Sequence, residues 1–273
     1  MLSEPFQGLL IYRFANLGSL PGMTHWVMSR LGGDSDGVYQ GLNISFGTGD
    51  DPSIVRANRL AMYQAIGAPP SRVVVARQVH SDRVLAIHGS SGEAHQDGWR
   101  TMDQEGDGMV TAEPGLFLQM VFGDCTPLVL YDPAHRVVGI AHAGWKGTIA
   151  CIGTRTVEAM QKHFGSRPAD IYVGIGPSIG PCCYQVREDV ATPARQTFGA
   201  NRDIIKPQPD GAYYFDLWEA NRQALLVAGV PLAHIETASI CTRCNSNLFF
   251  SNRAGDKGRF AALVALTPLT EEK

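Results

Sequence analysis

Three side chains in this 273-residue chain have the types and placement to hold a metal ion: His80, Cys125 and His142. Each comes at the end of an apolar run that reads as a buried strand. Val73-Val74-Val75 leads to Gln78-Val79-His80, Leu116 to Phe122 leads to Gly123-Asp124-Cys125-Thr126-Pro127, and Val137 to Ala141 leads to His142-Ala143-Gly144. A strand fixes the residue at its end while the following loop stays open, so strand ends are where α/β sheets usually hold their chemistry. Two imidazoles and one thiolate bind Zn²⁺ and leave a fourth position for water or substrate, which a structural zinc site would close. The same residues support a metal-free reading, with Cys125 as the nucleophile of a thiol hydrolase and His80 or His142 as its base. A low-pKa thiolate suits both roles. Buried His and Cys without chemistry are the plain alternative to either.

Gly144-Trp145-Lys146-Gly147-Thr148 leads into a helical pattern. Exposed N–H groups at a helix start, with a lysine beside them, make an anion cradle suited to phosphate. The segment lacks the longer glycine-rich phosphate-loop pattern, and a tight turn requiring glycine explains it equally well. Arg59 and Arg253 are further cations able to close over an anion, although such residues are more often solvated surface charges. His234-Ile235-Glu236 and Cys241-x-x-Cys244 together suggest the zinc deaminase pattern, but only four residues separate Glu236 from Cys241 and no proline precedes Cys241, which rejects it. A compact zinc site with His234, or one pairing Cys182 and Cys183 with Cys241 and Cys244, is the lesser reading of these cysteines; unpaired buried thiols are the preferred one.

The elements that must position these residues follow from periodicity. Asp51-Pro52-Ser53 opens a helix with Ile54, Ala57, Leu60 and Ala61 as its apolar positions and Gly67 as its stop. Strands are expected at Val73 to Val75, Val84 to Ile87, Leu116 to Phe122, Leu128 to Tyr131, Val137 to Ala141, Ile171 to Ile175, His234 to Ser239 and Arg259 to Leu266. Ile149, Ile152, Val157, Met160 and Phe164 before Gly165 predict a helix from about Thr148 to His163, and Asp216-x-x-Glu219 opens another that runs to Val227 before Gly229. Many strands and few helices make an α/β or α+β fold. No repeat, linker or low-complexity block divides the chain, so residues 1–273 are expected to form one domain.

Composition excludes several classes of function. Charged residues are 18% of the chain and the formal net charge is −3, so no basic field favours nucleic acid as a partner. No apolar run reaches the roughly 18 residues of a membrane-spanning helix. The first residues lack the basic start of a signal peptide, and six cysteines in such a chain suit a reducing cytoplasm.

With these residues laid out, the chain resembles the YfiH-like laccase-domain family, also called the multicopper polyphenol oxidase family and linked to purine nucleoside phosphorylases. The resemblance rests on Gly41-Leu42-Asn43, Asn58-Arg59, Gln78-Val79-His80, Asp107-Gly108-Met109-Val110, Asp124-Cys125-Thr126-Pro127, His142 to Thr148, Gly176 to Tyr184, and Phe250-Ser251-Asn252-Arg253. It implies a mixed β-sheet sandwich with helices on its outer faces, akin to the cytotoxic-necrotizing-factor cysteine hydrolases. It also implies a zinc centre held by His80, Cys125 and His142, the same trio that the strand ends suggest.

The activities implied are phosphorolysis of adenosine, inosine, guanosine and methylthioadenosine, and hydrolytic deamination of adenosine. The partners are then purine nucleosides and phosphate, with Asn43, Arg59, Gln78, Lys146 and Arg253 as candidate substrate or phosphate contacts. Phosphorolysis needs an anion site beside the glycosidic bond. Deamination needs activated water, which zinc supplies by lowering the pKa of water toward about 7. Asp124 is a candidate proton carrier, with orientation of a ligand or turn as its plainer role. Copper oxidase chemistry fits less well, because trinuclear copper centres draw on many histidines, often in H-x-H pairs, and none of the eight histidines here forms such a pair. Editing of peptidoglycan precursors by a Cys125 hydrolase, and a catalytically idle zinc protein acting by binding partners, are the remaining alternatives.

Overall fold

The apolar runs form strands in two large sheets. One has eight strands in the order Leu2–Phe6, Leu9–Arg13, Met23–Met28, Phe260–Leu266, Phe117–Phe122, Val73–Arg77, Arg100–Glu105 and Glu93–Ala94. The other has six, in the order Ile235–Thr237, Tyr172–Ile175, Thr126–Asp132, Val137–Ala143, Gly108–Thr111 and Val84–Ala86. Gln185–Val186, Tyr213–Phe215 and Ile205–Pro207 make a small third sheet. The computed structural model describes residues 1–89, 92–94, 98–199 and 203–268.

Period-two alternation sends Leu118, Met120 and Phe122 to the inner face of the eight-stranded sheet, where they join Ala262 and Val264. Met109, Val129, Tyr131, Val138 and Ile140 meet them from the six-stranded sheet in the same buried cluster. Two sheets facing each other through one apolar layer form a sandwich. The outer faces are covered by helices. Met62, Tyr63 and Ile66 of helix Pro52–Ile66 pack on Trp26, Phe117 and Leu263. Helices Ile152–Phe164 and Leu217–Val227 place Val157, Met160 and Leu225 against Leu128, Leu130 and Ala141. Burial on both sides explains why the central strands read as continuous apolar runs rather than as alternating ones.

Helix Pro52–Ile66 has the expected limits: Asp51 accepts from the Ser53 N–H, and Gly67 takes φ +67° at the other end. Its buried face differs from the expected one. Leu60 and Ala61 point to solvent, whereas Val55, Asn58, Arg59, Met62, Tyr63 and Ile66 are buried. Polar Asn58 and Arg59 disguise this stripe in the sequence. They are tolerated inside because Asn58 Nδ2 donates to the Asn43 carbonyl at 2.9 Å and Arg59 Nε to the Ile44 carbonyl at 2.7 Å. The helix expected from about Thr148 is divided into Trp145–Ile149 and Ile152–Phe164, because Cys151 adopts φ +58° and interrupts the helical ladder. Helix Glu188–Phe198, which carries Pro193 in its interior, was hidden by that proline.

His25 lies in strand Met23–Met28, 1% exposed, and its Nε2 accepts from the Phe14 N–H at 2.8 Å. Burial, reinforced by the Arg13 charge, pushes its pKa down to about 3. The unfolded chain therefore binds a proton that the folded chain refuses, between the ordinary histidine pKa near 6.5 and about 3, and stability falls as pH drops through that window. Between pH 7 and pH 5 the protein should lose about 2 kcal/mol of stability from this residue. Urea denaturation at the two pH values should show that loss in the wild type and not in His25→Gln; equal pH dependence in both would remove His25 as the cause.

Candidate metal centre and pocket

The trio is brought together by the way the chain crosses between sheets. Strands Val73–Arg77, Arg100–Glu105 and Phe117–Phe122 run parallel in the eight-stranded sheet, so all three end at the same edge. From that edge residues 78–83 cross to strand Val84–Ala86, residues 106–107 to Gly108–Thr111, and residues 123–125 to Thr126–Asp132 in the six-stranded sheet. His80, Asp107 and Cys125 lie on these crossovers. His142 completes the group from the end of strand Val137–Ala143, paired opposite Pro127.

One ligand atom from each of His80, Cys125 and His142 lies within 4.8 Å of the others, and Cys125 Sγ is 3.8 Å from His80 Nε2. Zinc bonds of roughly 2.0–2.3 Å are compatible with such separations. Asp107 organises the trio. It is fully buried, and its Oδ1 accepts from the His80 N–H at 3.0 Å and from His142 Nδ1 at 2.8 Å. Its Oδ2 accepts from the Ser81 N–H and hydroxyl at 2.7 and 2.9 Å and from the Val79 N–H at 3.1 Å. Because an ionised carboxylate can only accept, the proton sits on His142 Nδ1 and Nε2 is directed to the metal position. The backbone bonds also hold His80 at φ +62°, a left-handed conformation that a histidine keeps only when its surroundings enforce it.

The electrostatics agree with the geometry. Burial raises the Asp107 pKa, but the hydrogen bonds from His142 and the Ser81 N–H outweigh it and hold the carboxyl at about 2. Burial likewise disfavours the Cys125 thiolate, yet the His142 charge and the hydrogen bonds from His142 and His80 lower the thiol to about 6. His142 is raised to about 9: burial opposes its charge, and Cys125 and Asp107 overcome that opposition. A thiolate is therefore available at neutral pH for a metal or an electrophile.

The trio opens into a cavity of about 480 Å³ lined also by Gln78, Asp124, Tyr184, Arg253 and Arg259. Gln78 braces its wall, since its amide exchanges two 2.9 Å hydrogen bonds with the Val121 backbone. Asp124, at φ +85°, accepts from Thr242 Oγ1 at 2.7 Å and from the Arg253 N–H at 2.7 Å. Arg253 lies over the Tyr184 ring, its guanidinium carbon 5.4 Å from the centroid. The other candidate contacts are elsewhere. Asn43 is fully buried and bonded to Asp50 and the Arg259 N–H. Arg59 is buried between Phe46 and Trp99. Lys146 is exposed beside Trp145, outside the cavity lining, and the five-residue helix Trp145–Ile149 is too short to provide the expected anion cradle. Asp107, Tyr184 and Arg259 were not singled out in the sequence as site residues. The signal for Asp107 was a charged residue placed directly before the short strand Gly108–Thr111, with the apolar pair Met109-Val110 at its centre.

Gly144 has an ordinary φ of −68°, but a Cβ there would stand 2.9 Å from both Cys125 Sγ and His80 Cδ2. The atoms forced to move belong to the trio, so Gly144→Ala should weaken any metal binding there by about tenfold or more while costing only about 1 kcal/mol of stability. Competition with a chromophoric chelator checks the first quantity and thermal denaturation of the metal-free protein the second. Unchanged affinity would show that the trio has slack.

A family model described as multi-copper polyphenol oxidoreductase laccase matches residues 24–267. The chain belongs to that family. Within it, a Deinococcus radiodurans protein named purine nucleoside phosphorylase is 38% identical over 262 residues, covering 95% of this chain and 94% of its own. A protein from an unknown prokaryotic organism named adenosine deaminase RL5 is 32% identical over 236 residues, covering 86% of this chain and 90% of its own. The crystal structure of YlmD from Geobacillus stearothermophilus superposes with a TM-score of 0.87 at 33% identity, covering 97% of this chain and 98% of that one. The first two of these relatives, and the family description itself, carry the names of enzymes. Among the described residues, the groups able to hold a metal are the His80–Cys125–His142 trio and a set of four cysteines, and neither is a histidine-rich copper cluster. No described helix is long and apolar enough to cross a membrane.

Proposed function

We propose that this protein is a purine nucleoside phosphorylase, acting on adenosine, inosine, guanosine and methylthioadenosine, that also deaminates adenosine at a zinc centre held by His80, Cys125 and His142. The observation that carries the reading is the convergence of two imidazoles and a thiolate on one side of a cavity that has arginines on its walls. Two histidines and one cysteine suit zinc, and three protein ligands leave a position open. When bound, zinc supplies a Lewis acid at that position.

The remaining roles belong to the chain itself. Asp107 holds the His142 tautomer and the His80 loop, so the ligand set is fixed before substrate arrives. Arg253 and Arg259 bring positive charge to the cavity wall, where a phosphate can approach C1′ of the ribose. In phosphorolysis a phosphate oxygen bonds to C1′ as the C1′–N9 bond breaks, giving ribose 1-phosphate and a purine that takes up a proton. In deamination water adds at C6 and ammonia leaves. Asp124 has both carboxylate oxygens engaged, by Thr242 and by the Arg253 N–H, and is proposed as a positioning residue that ties the Cys125 crossover to Arg253. The compartment proposed is the cytoplasm.

A second reading has its own support. Cys125, His142 and Asp107 stand in the order nucleophile, base and orienting carboxylate, the arrangement of a cysteine hydrolase. It is the chemistry expected from the sequence resemblance to cytotoxic-necrotizing-factor cysteine hydrolases, and peptidoglycan-precursor editing is the reaction it would serve. Metal and covalent mechanisms compete for one sulfur. Adenosine incubated with phosphate should give adenine and ribose 1-phosphate, and inosine should form whether or not phosphate is present. Absence of both products, with intact nucleosides recovered, would overturn the proposal.

A further inference from the structure

Cys182, Cys183, Cys241 and Cys244 come from two distant parts of the chain, and their sulfurs all lie within 4.8 Å of one another. Backbone hydrogen bonds bring the segments together: the Ser178 N–H donates to the Ile240 carbonyl, and the Thr242 N–H to the Ser178 carbonyl at 3.0 Å. A tight turn then presents Cys182 and Cys183, with the Cys183 and Tyr184 N–H groups both donating to the Gly180 carbonyl.

Cys244 Sγ stands 3.6 Å from Cys182 Sγ and 3.4 Å from Cys183 Sγ. Four sulfurs at about 2.3 Å from a tetrahedral zinc are about 3.8 Å apart, so the set already has nearly the size of a filled site. The apolar-filler explanation of a free cysteine requires burial, and only Cys241 is buried, whereas Cys182 and Cys244 are exposed. Cys241 Sγ receives the Gly180 N–H at 3.3 Å. Backbone donors to a sulfur of this kind are the outer support that metal-bound ligands require. Gly180 is needed for the approach, because a Cβ there would meet Trp218 at 2.6 Å and Cys241 Cβ at 3.1 Å.

We propose that Cys182, Cys183, Cys241 and Cys244 form a second metal site, a closed structural zinc site separate from the His80–Cys125–His142 centre. All four positions are filled by protein, so it offers no place to a substrate. Its role is mechanical. Tyr184, which follows Cys183, lines the cavity, and Thr242, between Cys241 and Cys244, holds Asp124. A metal joining the two segments clamps two walls of the cavity together.

Metal analysis of protein purified in zinc without chelator should give about two zinc ions per chain, and about one in either Cys125→Ser or the double variant Cys182→Ser/Cys244→Ser. Cobalt substitution of Cys125→Ser should give the strong sulfur-to-metal charge transfer of a four-thiolate site, a signal independent of nucleoside turnover. It stands even if the proposed nucleoside chemistry fails. Should the double variant not fold, the Cys125→Ser protein alone decides. A Cys125→Ser protein without zinc or the cobalt spectrum would overturn the proposal. So would a thiol titration after denaturation and chelation that finds a disulfide in place of six free cysteines.

Discussion

Cys125→Ser is expected to lower kcat/KM for adenosine phosphorolysis and deamination by on the order of 10³-fold, equivalent to about 4 kcal/mol of transition-state stabilisation. The substitution removes the one anionic ligand of the trio, because a serine hydroxyl stays protonated at pH values where the Cys125 thiol, lowered to about 6, is ionised. Loss of the metal from this centre should accompany loss of activity. A nucleophilic Cys125 would give the same loss of rate, so the informative companion is Cys125→Asp, which restores an anionic ligand without a thiol. That variant is expected to recover metal and a measurable part of the rate. Full metal occupancy without turnover would favour the covalent mechanism instead.

Asp107→Asn should have the next largest effect. The carboxylate accepts from three backbone N–H groups, the Ser81 hydroxyl and His142, and an amide turns one oxygen acceptor into a donor facing these donors. The variant should lose about 3 kcal/mol of stability, from several buried charge-assisted hydrogen bonds left unmade. Zinc affinity should fall about 10- to 100-fold, since His142 loses the group that fixes its tautomer. Urea denaturation of the metal-free protein and chelator competition separate the two losses. Reduced stability with unaltered metal affinity would confine Asp107 to holding the Val79–Ser81 backbone.

The convergent trio His80, Cys125 and His142 was legible because strands with apolar residues on both faces stand out, and each of the three lies at or just beyond the end of one. The residue that unites them was less visible. Asp107 comes between strand Arg100–Glu105, whose residues alternate poorly, and the short strand Gly108–Thr111; its five donors come from other parts of the chain. Arg59 and Lys146 show how little charge alone says about position. Charge suggested an anion site for both, yet Arg59 is enclosed by Phe46 and Trp99, and Lys146 projects to solvent. Sequence spacing shows that a cation exists but not which wall of a sandwich it faces. Arg259, placed at the cavity by the turn before strand Phe260–Leu266, had no local pattern to distinguish it.

The most direct test is the stepwise return of zinc to chelated protein, with adenosine turnover in phosphate measured at each step and Cys125 followed by intact-mass analysis. Turnover should be absent without metal, rise in proportion to filling of the His80–Cys125–His142 centre, and leave Cys125 unmodified throughout. Full turnover in metal-free protein, with an electrophilic nucleoside analogue trapped on Cys125, would contradict a metal-centred reaction and assign the chemistry to the thiol.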